Sequence, residues 1–518
     1  MVVLLNIQTI LDALPNIPSV TLPALKENGL KIVFTEGDDP ETVYNGLEPP
    51  LPFVNSDLIH TNICHWRRLT AVDERCKSIY EVTFDVADSN FTFKAGDTIG
   101  VVPQNPEEDV NAVIGHLNLD SLADLPYKLS VDSSIKGCKI PPHIPVQSTL
   151  RYLLKHCVDL RSVLKKLFLL ALSRFTKDEK ERKVLEYLCS KEGSNAYQSH
   201  ILNKSLCLLD IFHIFQSCKP PIEVLIANLP RLLPRPYSIV NTGQKESRRI
   251  TICFSVQDIG HNRKGLTTGW LEKLILDNEF DLEANFRKLN IENDCDKIGS
   301  IHIYLRKNMS EFHLPEILNV PLILIGPGTG VAPFIGFLEE LELTKENNPN
   351  EAFSEVWLFY GCRNPALDFI YKTEIEGFLS KGVLNRLCTA FSRIDNDENK
   401  YVQEFMKKKP VFAALSKNIN FENVCWLGDF CKTVAPALEK SLSQGTEDAL
   451  VQEGESVARI INDGAYIFIS GDLKNMAVQI KETIAKCIIT HQNKTQEEAD
   501  KIINEMIKAK RYCVDAWS

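Results

Sequence analysis

An uninterrupted apolar run that ends in a glycine-rich turn constrains the fold of this chain more than any other feature. Val320 to Ile325 carry no polar side chain, which is typical of a strand buried on both faces of a parallel sheet. Gly326-Pro327-Gly328-Thr329-Gly330 follows at once, and Val331 to Leu341 shows helical spacing of apolar residues. This order of elements can bind a dinucleotide pyrophosphate. A strand-turn-helix without a ligand is the alternative, because the glycines depart from G-x-G-x-x-G.

Downstream residues indicate which nucleotide would bind. Two further strand-like runs, Val356 to Tyr360 and Leu387 to Phe391, are followed by loops that carry Ser392, Arg393 and Lys400. Cationic and hydroxyl side chains at the carboxyl ends of parallel strands suit a 2′-phosphate. The pattern therefore favours NADPH over NADH, and a solvated loop with incidental charges is the alternative.

A second functional pattern, Arg235-Pro236-Tyr237-Ser238, is suited to a flavin. In an extended segment, Arg235 and Tyr237 point to the same side, so a flat ring could stack on the tyrosine while the guanidinium binds a pyrophosphate. The Ser238 hydroxyl could bond the reactive nitrogen of the ring. A strand-end tyrosine beside a surface arginine is the alternative interpretation.

The stretch Gly265-Leu266-Thr267-Thr268 supplies the other half of a pyrophosphate clamp. A glycine turn that leads into a helix offers unpaired N–H groups and two hydroxyls to an anion. Alone it could be a capped helix start. Because it follows the arginine-tyrosine-serine pattern by about thirty residues, we interpret the two segments together.

Composition bounds the remaining possibilities. A chain of 518 residues predicts two or three domains, and a formal charge of −10 disfavours non-specific nucleic-acid binding. The 15 cysteines are scattered without C-x-x-C pairs, so we expect reduced thiols and no metal site. No run of about eighteen apolar residues occurs, so we expect no membrane span and a cytoplasmic location.

The order of motifs along the chain resembles the diflavin reductases. The resemblance covers nearly everything from Pro52 to Ser518 and rests on motifs that are specific in combination. Besides those already described, they are Tyr360-Gly361-Cys362-Arg363, Lys400-Tyr401-Val402-Gln403, Gly471-Asp472-Leu473-Lys474-Asn475-Met476 and the terminal Asp515-Ala516-Trp517-Ser518. Within that family the chain is similar to the branch that serves cobalamin-dependent methionine synthase. Its cues include Leu188-Cys189-Ser190-Lys191 and Phe312-His313-Leu314-Pro315.

The resemblance implies two cofactors, FAD and NADPH, and a set of residues for each. For FAD they are Arg235, Pro236, Tyr237, Ser238, Gly265, Leu266, Thr267, Thr268 and Trp517. For NADPH they are Arg67, Gly328, Thr329, Gly330, Cys362, Arg363, Ser392, Arg393, Lys400, Tyr401, Val402, Gln403, Asp472 and Gln479.

Four residues are implied as catalytic: Ser238, Ser470, Asp515 and Trp517. Trp517 resembles the tryptophan that covers the flavin and swings away for the nicotinamide. Ser470 departs from the family, in which a cysteine is usual, and Gln479 replaces a frequent aspartate. Loss of the polarizable thiol predicts slower hydride transfer.

The implied fold class is α/β plus β-barrel, like ferredoxin-NADP reductase. We expect a linker-like segment at 1–51, an FAD-binding antiparallel barrel at 52–319 and a Rossmann-like NADP domain at 320–518. A helical connecting insertion is expected at about 107–229. An insertion at about 404–455 has no motif that we can interpret.

The resemblance implies an NADPH-dependent reductase that passes electrons through FAD to FMN, and finally reactivates methionine synthase. The residues before the barrel are too few for a flavodoxin-like domain of roughly 150 residues. We therefore expect the FMN carrier to be a separate protein or a segment missing from this sequence. A general NADPH–flavodoxin or cytochrome reductase and a non-catalytic flavoprotein scaffold remain the alternatives.

Overall fold

The computed structural model describes residues 10, 20–35, 51–135, 137–260, 263–286, 298–391, 424–426, 453–472 and 476–517. For 278–286, 298–299, 424–426, 472, 476 and 516–517 it describes the backbone alone. The chain divides into two units. Unit 1 consists of Met1–Pro52, Val102–Arg235 and Gln257–Lys273, and unit 2 of Phe53–Val101, Pro236–Val256 and Leu274–Ser518.

The strands and helices of the described residues have the following bounds in chain order. The strands are β1 Leu30–Phe34, β2 Ile59–Arg68, β3 Ile79–Asp85, β4 Thr98–Val102, β5 Pro126–Val131, β6 Gln147–Thr149, β7 Arg235–Ser238, β8 Arg249–Ser255, β9 Ile298–Leu305, β10 Leu322–Ile325, β11 Val356–Cys362, β12 Arg386–Phe391, β13 Val424–Trp426, β14 Tyr466–Asp472 and β15 Tyr512–Trp517. The helices are α1 Glu107–Leu117, α2 Leu150–Tyr152, α3 Lys166–Ser173, α4 Glu179–Cys189, α5 Ser194–Tyr197, α6 Leu208–Ile214, α7 Ile222–Asn228, α8 Leu266–Phe286, α9 Ala332–Asn347, α10 Lys372–Ser380, α11 Gly454–Asn462, α12 Met476–Gln492 and α13 Gln496–Lys508.

Unit 1 is mainly helical, because leucines at helical spacing in the region from α2 to α7 need a common core. Leu153, Leu169 and Leu172 are completely buried in it. The helix α2 continues into a π-helical turn at Leu153–Cys157, and a second π-helical turn, Gln198–Leu202, follows α5. Such turns are rare and frequently lie at functional sites.

The parallel sheet in unit 2 has the strand order β13-β12-β11-β10-β14-β15. All neighbouring pairs in it run parallel. The chain builds outward from β10 to β13 and then returns to the other side of β10 with β14. The strand order therefore reverses beside β10, which is where open sheets of this kind bind ligands at their carboxyl edge.

The antiparallel sheet has the order β7-β4-β9-β2-β3-β8. Ile79 of β3 and Cys253 of β8 belong to the same hydrophobic core as Phe312, Phe337 and Phe468. The Phe312 ring, which follows β9, packs against Phe337 of α9 and Phe468 of β14 with ring centroids 5.4 and 5.3 Å apart. An antiparallel sheet, a helical insertion and a parallel sheet confirm the predicted fold class. The predicted segment boundaries stay predictions.

The sequence does not predict β1, because residues 1–51 are expected to be linker-like. It pairs antiparallel with β5 from Leu30↔Val131 to Phe34↔Tyr127, and β5 pairs with β6. The segment before the barrel thus completes a three-stranded sheet of unit 1. Of the expected insertion at 404–455, only 424–426 and 453–455 are described.

No helix among the described residues is long and apolar enough to cross a bilayer.

Candidate functional site

The glycine loop after β10 packs against the backbone of a neighbouring strand. It forms a short 3-10 turn, Gly328–Val331, and α9 begins at Ala332. A Cβ added at Gly330 would lie 2.2 Å from the Ser470 carbonyl oxygen of β14, which is closer than atoms can approach. Gly328 has a φ of +56°, a left-handed conformation that favours glycine. The glycines therefore allow the loop to adopt this shape. Their lack of side chains would also let a pyrophosphate approach the backbone closely.

Three of the four predicted catalytic residues meet within unit 2. Ser238 lies at the end of β7 and donates a hydrogen bond from its Oγ to the Asp515 carboxylate of β15. Ser470 is the direct β14 neighbour of Asp515, because the two residues are partners in the parallel register. The fourth residue, Trp517, is the β15 partner of Asp472, and only its backbone is described.

Ser470 is completely buried, and its Oγ has no hydrogen-bond partner among the described residues. A buried hydroxyl without a partner loses its hydration, so such atoms call for a ligand or a water. Ser470 therefore fits a site in which a bound group supplies the missing bond.

Burial raises the pKa of the Asp515 carboxyl, and the Ser238 hydrogen bond and the charge of Arg306 oppose that rise. Sequence reasoning missed Arg306, which lies just after β9 and whose Nε is buried without a partner in the described part of the chain. A charged residue directly after a strand-like run of alternating apolar residues is the signal that could have indicated Arg306. The Ser238 hydroxyl and the Arg306 charge therefore both act on the Asp515 carboxylate.

Tyr237 precedes Ser238 in β7, and its ring contacts Phe254 edge to face at 6.3 Å between centroids. This contact fixes the tyrosine ring from one side. The position agrees with the stacking role that the sequence predicts, which stays a prediction.

Arg235 and the segment Gly265–Thr268, which the sequence also assigns to FAD, lie in unit 1. Arg235 donates from Nη1 to the Leu233 carbonyl oxygen at 2.5 Å, and its Nη2 lies 3.4 Å from an Asp159 carboxylate oxygen. A guanidinium has five N–H donors, so these two bonds leave donors for a phosphate. The Arg235 side chain is about one third exposed, at 37%.

The helix α8 begins directly after Gly265, with the Gly265 N–H bonded to the Gln257 carbonyl oxygen at 2.7 Å. The Thr268 hydroxyl accepts from the Gln257 N–H at 3.3 Å. Thr267 is 3% exposed, and its Oγ1 is unpaired within the described structure. The first N–H groups of a helix likewise lack intrahelical partners.

These observations fit the two cofactors that the sequence implies. A buried hydroxyl without a described partner at a helix N-terminus suits a pyrophosphate, and so does an arginine with donors to spare. Arg235, Gly265, Leu266, Thr267 and Thr268 would therefore hold that part of FAD. In unit 2, the unpaired Ser470 hydroxyl beside the glycine loop suits a polar ring system.

Several predicted NADPH residues lie on other elements of unit 2. Arg67 in β2 pairs with Glu81 and Glu374 at 2.7 Å each, and the bonds and charges of these carboxylates raise the pKa of Arg67 against the effect of burial. Cys362 is buried at the end of β11, and the Arg363 N–H bonds Asp368 at 3.2 Å. Gln479 lies in α12. Their roles stay predictions, and Ser392, Arg393, Lys400, Tyr401, Val402 and Gln403 lie outside the described residues.

Comparison with known families identifies two domains in the chain. Residues 51–270 match the FAD binding domain, and residues 324–425 match the oxidoreductase NAD-binding domain. These matches confirm, at the level of the domains, the predicted cofactors FAD and NADPH. FMN stays conditional on a further domain or protein.

The chain is also similar to several complete reductases. Methionine synthase reductase of Rattus norvegicus is 31% identical over 86% of this chain and 59% of the relative, and that of Mus musculus is 32% identical over 87% and 60%. NADPH–cytochrome P450 reductase of Sus scrofa is 26% identical over 92% of this chain and 60% of the relative. The chain therefore spans about 60% of the length of these relatives.

Gly330→Ala is expected to weaken NADP⁺ binding by at least about tenfold, because the new Cβ displaces the loop from the Ser470 carbonyl oxygen. The dissociation constant of NADP⁺, measured by calorimetry, checks this. Gly377→Ala in α10 is the matched control, since a Cβ there meets no atom within 4 Å. Equal weakening in both variants would contradict the assignment of this loop.

Thr267→Val is expected to weaken FAD binding several-fold, because it removes a hydroxyl that has no described protein partner. The stability of the cofactor-free protein should stay equal or rise, since a buried unpaired hydroxyl is costly. Titration of the apoprotein with FAD and its melting temperature test both expectations. A lower melting temperature with unchanged FAD affinity would show that the hydroxyl is structural.

Proposed function

The chain belongs to the diflavin reductase family, and on that premise we propose that it is an NADPH-dependent reductase that passes electrons through FAD to an FMN-type acceptor. The observation that carries this proposal is the meeting of Ser238, Ser470 and Asp515 in the unit that also contains the glycine loop. If Asp515 had only a structural role, nothing would require its β14 neighbour Ser470 to have a buried hydroxyl without a described hydrogen-bond partner.

FAD, when bound, accepts a hydride from NADPH and can release the electrons one at a time. The protein residues bind and orient the reactants. Arg235 and the α8 N-terminus would hold the pyrophosphate of FAD, and Tyr237 would support its ring. Ser238 supplies a hydroxyl that the Asp515 carboxylate orients, and Ser470 supplies a second. We assign to Trp517 the role of covering the ring until the nicotinamide enters.

We further propose that the electrons serve the reductive reactivation of methionine synthase through a flavodoxin-like FMN domain or protein. The support is the similarity to methionine synthase reductases of two mammals over most of this chain. A general flavodoxin or cytochrome reductase is the second candidate, favoured by the similarity to NADPH–cytochrome P450 reductase. The acceptor that is reduced fastest distinguishes the two, and a cytoplasmic location stays a prediction.

The direct test is a spectrum of the purified protein loaded with FAD. Anaerobic addition of NADPH should bleach the yellow flavin absorbance, and the reduced protein should then reduce a dye such as ferricyanide. An apoprotein that does not take up FAD would overturn the proposal. A flavoprotein that stays yellow in excess NADPH would favour the non-catalytic scaffold.

Asp515→Asn is expected to change the pH dependence of flavin reduction. Since burial raises the pKa of Asp515, this carboxylate becomes protonated at a higher pH than usual and then no longer orients the Ser238 hydroxyl. The reduction rate of the native protein should therefore fall as the pH drops through that raised pKa. The variant should be slower at neutral pH and nearly independent of pH in the same range, as stopped-flow absorbance would show.

The same substitution should raise the melting temperature at neutral pH. A folded-state pKa above the unfolded value means that folding penalises the charged carboxylate, so the penalty appears as the pH rises through the raised pKa. Unchanged pH profiles and melting temperature in the variant would refute this account of Asp515.

A further inference from the structure

A short segment of unit 1, Asp159 to Arg161, touches both halves of the predicted pyrophosphate clamp. It follows the π-helical turn Leu153–Cys157, and hydrogen bonds to the backbone hold it in place. The Asp159 N–H bonds the Pro230 carbonyl oxygen at 2.9 Å. The buried Asn105 side chain donates to the Val158 carbonyl oxygen at 2.6 Å. The segment is therefore a fixed part of the fold from which side chains can act.

Asp159 faces the first half of the clamp. One of its carboxylate oxygens lies 3.4 Å from Arg235 Nη2, and the other accepts the Arg161 N–H at 3.0 Å. The Asp159 side chain is only 15% exposed and that of Arg235 is 37% exposed, so solvent screens this pair in part. A carboxylate that is itself held by a backbone N–H orients the guanidinium that it contacts.

Arg161 faces the second half. Its Nη1 donates to the Lys264 carbonyl oxygen at 2.7 Å, and Lys264 directly precedes Gly265. Its Nε bonds the Asp109 carboxylate at 2.6 Å, with side chains 14% and 12% exposed. The planar guanidinium thus bridges α1 and the loop that leads into α8. It fixes the backbone immediately before the helix N-terminus.

We propose that Asp159 and Arg161 are positioning residues for the FAD pyrophosphate. Together they set the spacing between Arg235 and the Gly265–Thr268 turn, two segments about thirty residues apart in sequence. A clamp held at fixed spacing loses less conformational freedom when the ligand binds. The inference rests on the proposed function, because it presupposes that this clamp holds FAD.

The experiment is a titration of full-length apoprotein with FAD, followed by quenching of flavin fluorescence. Asp159→Ala should weaken FAD binding by about tenfold, the loss expected for one charge-assisted hydrogen bond. Charge alone predicts the reverse, because removal of an anion near a pyrophosphate should strengthen binding. Asp159→Asn keeps an acceptor and removes the charge, so it should bind FAD at least as well as Asp159→Ala and should rescue most of the loss.

Substitutions of Arg161 provide an independent test of the proposal. Arg161→Lys keeps the charge but loses the planar fork that bridges Asp109 and Lys264. It should therefore weaken FAD binding nearly as much as Arg161→Ala. If the charge alone mattered, the lysine variant would behave like the native protein, and that result would overturn the role of Arg161.

A double-mutant cycle tests whether Asp159 acts through Arg235. In an Arg235→Ala background, Asp159→Ala should change the FAD dissociation constant by less than about twofold. The full tenfold effect in that background would overturn the positioning role. Asp124→Ala is the matched control, because among the described residues this carboxylate pairs with Arg151 in the same unit and makes no hydrogen bond or ion pair with the clamp. The FAD affinity of this variant should equal that of the native protein.

The melting temperature of each apoprotein separates positioning from misfolding. If Asp159→Ala fails to fold, Arg161→Lys and Arg161→Ala still decide the matter through their FAD affinities. Native protein that does not bind FAD would refute the proposed function. Native protein that binds FAD, with all clamp variants binding it equally, would refute this inference alone.

Discussion

The contact between Gly330 and the Ser470 carbonyl oxygen sets the geometry of the whole carboxyl edge of the parallel sheet. Because β10 and β14 are neighbours, the loop that leaves β10 must pass over the end of β14, and only a glycine leaves room for it. That close approach brings the glycine loop next to Ser470. The register of β14 with β15 then places Asp515 alongside, within reach of Ser238. The predicted nucleotide loop and the predicted flavin-facing residues therefore depend on a single strand adjacency.

Replacement of the usual cysteine by Ser470 has a physical consequence that burial makes clear. Burial raises the pKa of Cys253 to about 12 and that of Cys513 to about 11, so thiols in the interior of this unit are kept protonated. A thiol at position 470 would be neutral for the same reason. The exchange of sulfur for oxygen therefore preserves a neutral donor and changes chiefly polarizability and size. Under the proposed function, we expect the exchange to affect the rate of hydride transfer more than cofactor binding.

The sequence predicted those elements whose pattern is local. The apolar runs of β10, β11 and β12 identify strands because nearly all of their side chains are buried. The strand β1 escaped prediction, because it is defined by pairing with β5 about a hundred residues later. Arg306, Asp159 and Arg161 escaped for the same reason: their significance comes from partners that are distant in sequence. No local period or motif encodes such contacts.

The contacts of the helical insertion argue for a part in the proposed cofactor binding. Arg235 and the turn before α8 belong to the same compact unit as the insertion. Each is bonded to a residue of the insertion: Arg235 to Asp159, and the Lys264 carbonyl oxygen to Arg161. Those bonds exist only when the insertion is folded, because Asn105 and the Pro230 carbonyl oxygen hold the segment in place. Folding of the helical core and the shape of the proposed pyrophosphate clamp are therefore linked, and we expect a change that loosens the core to lower FAD affinity without touching the cofactor.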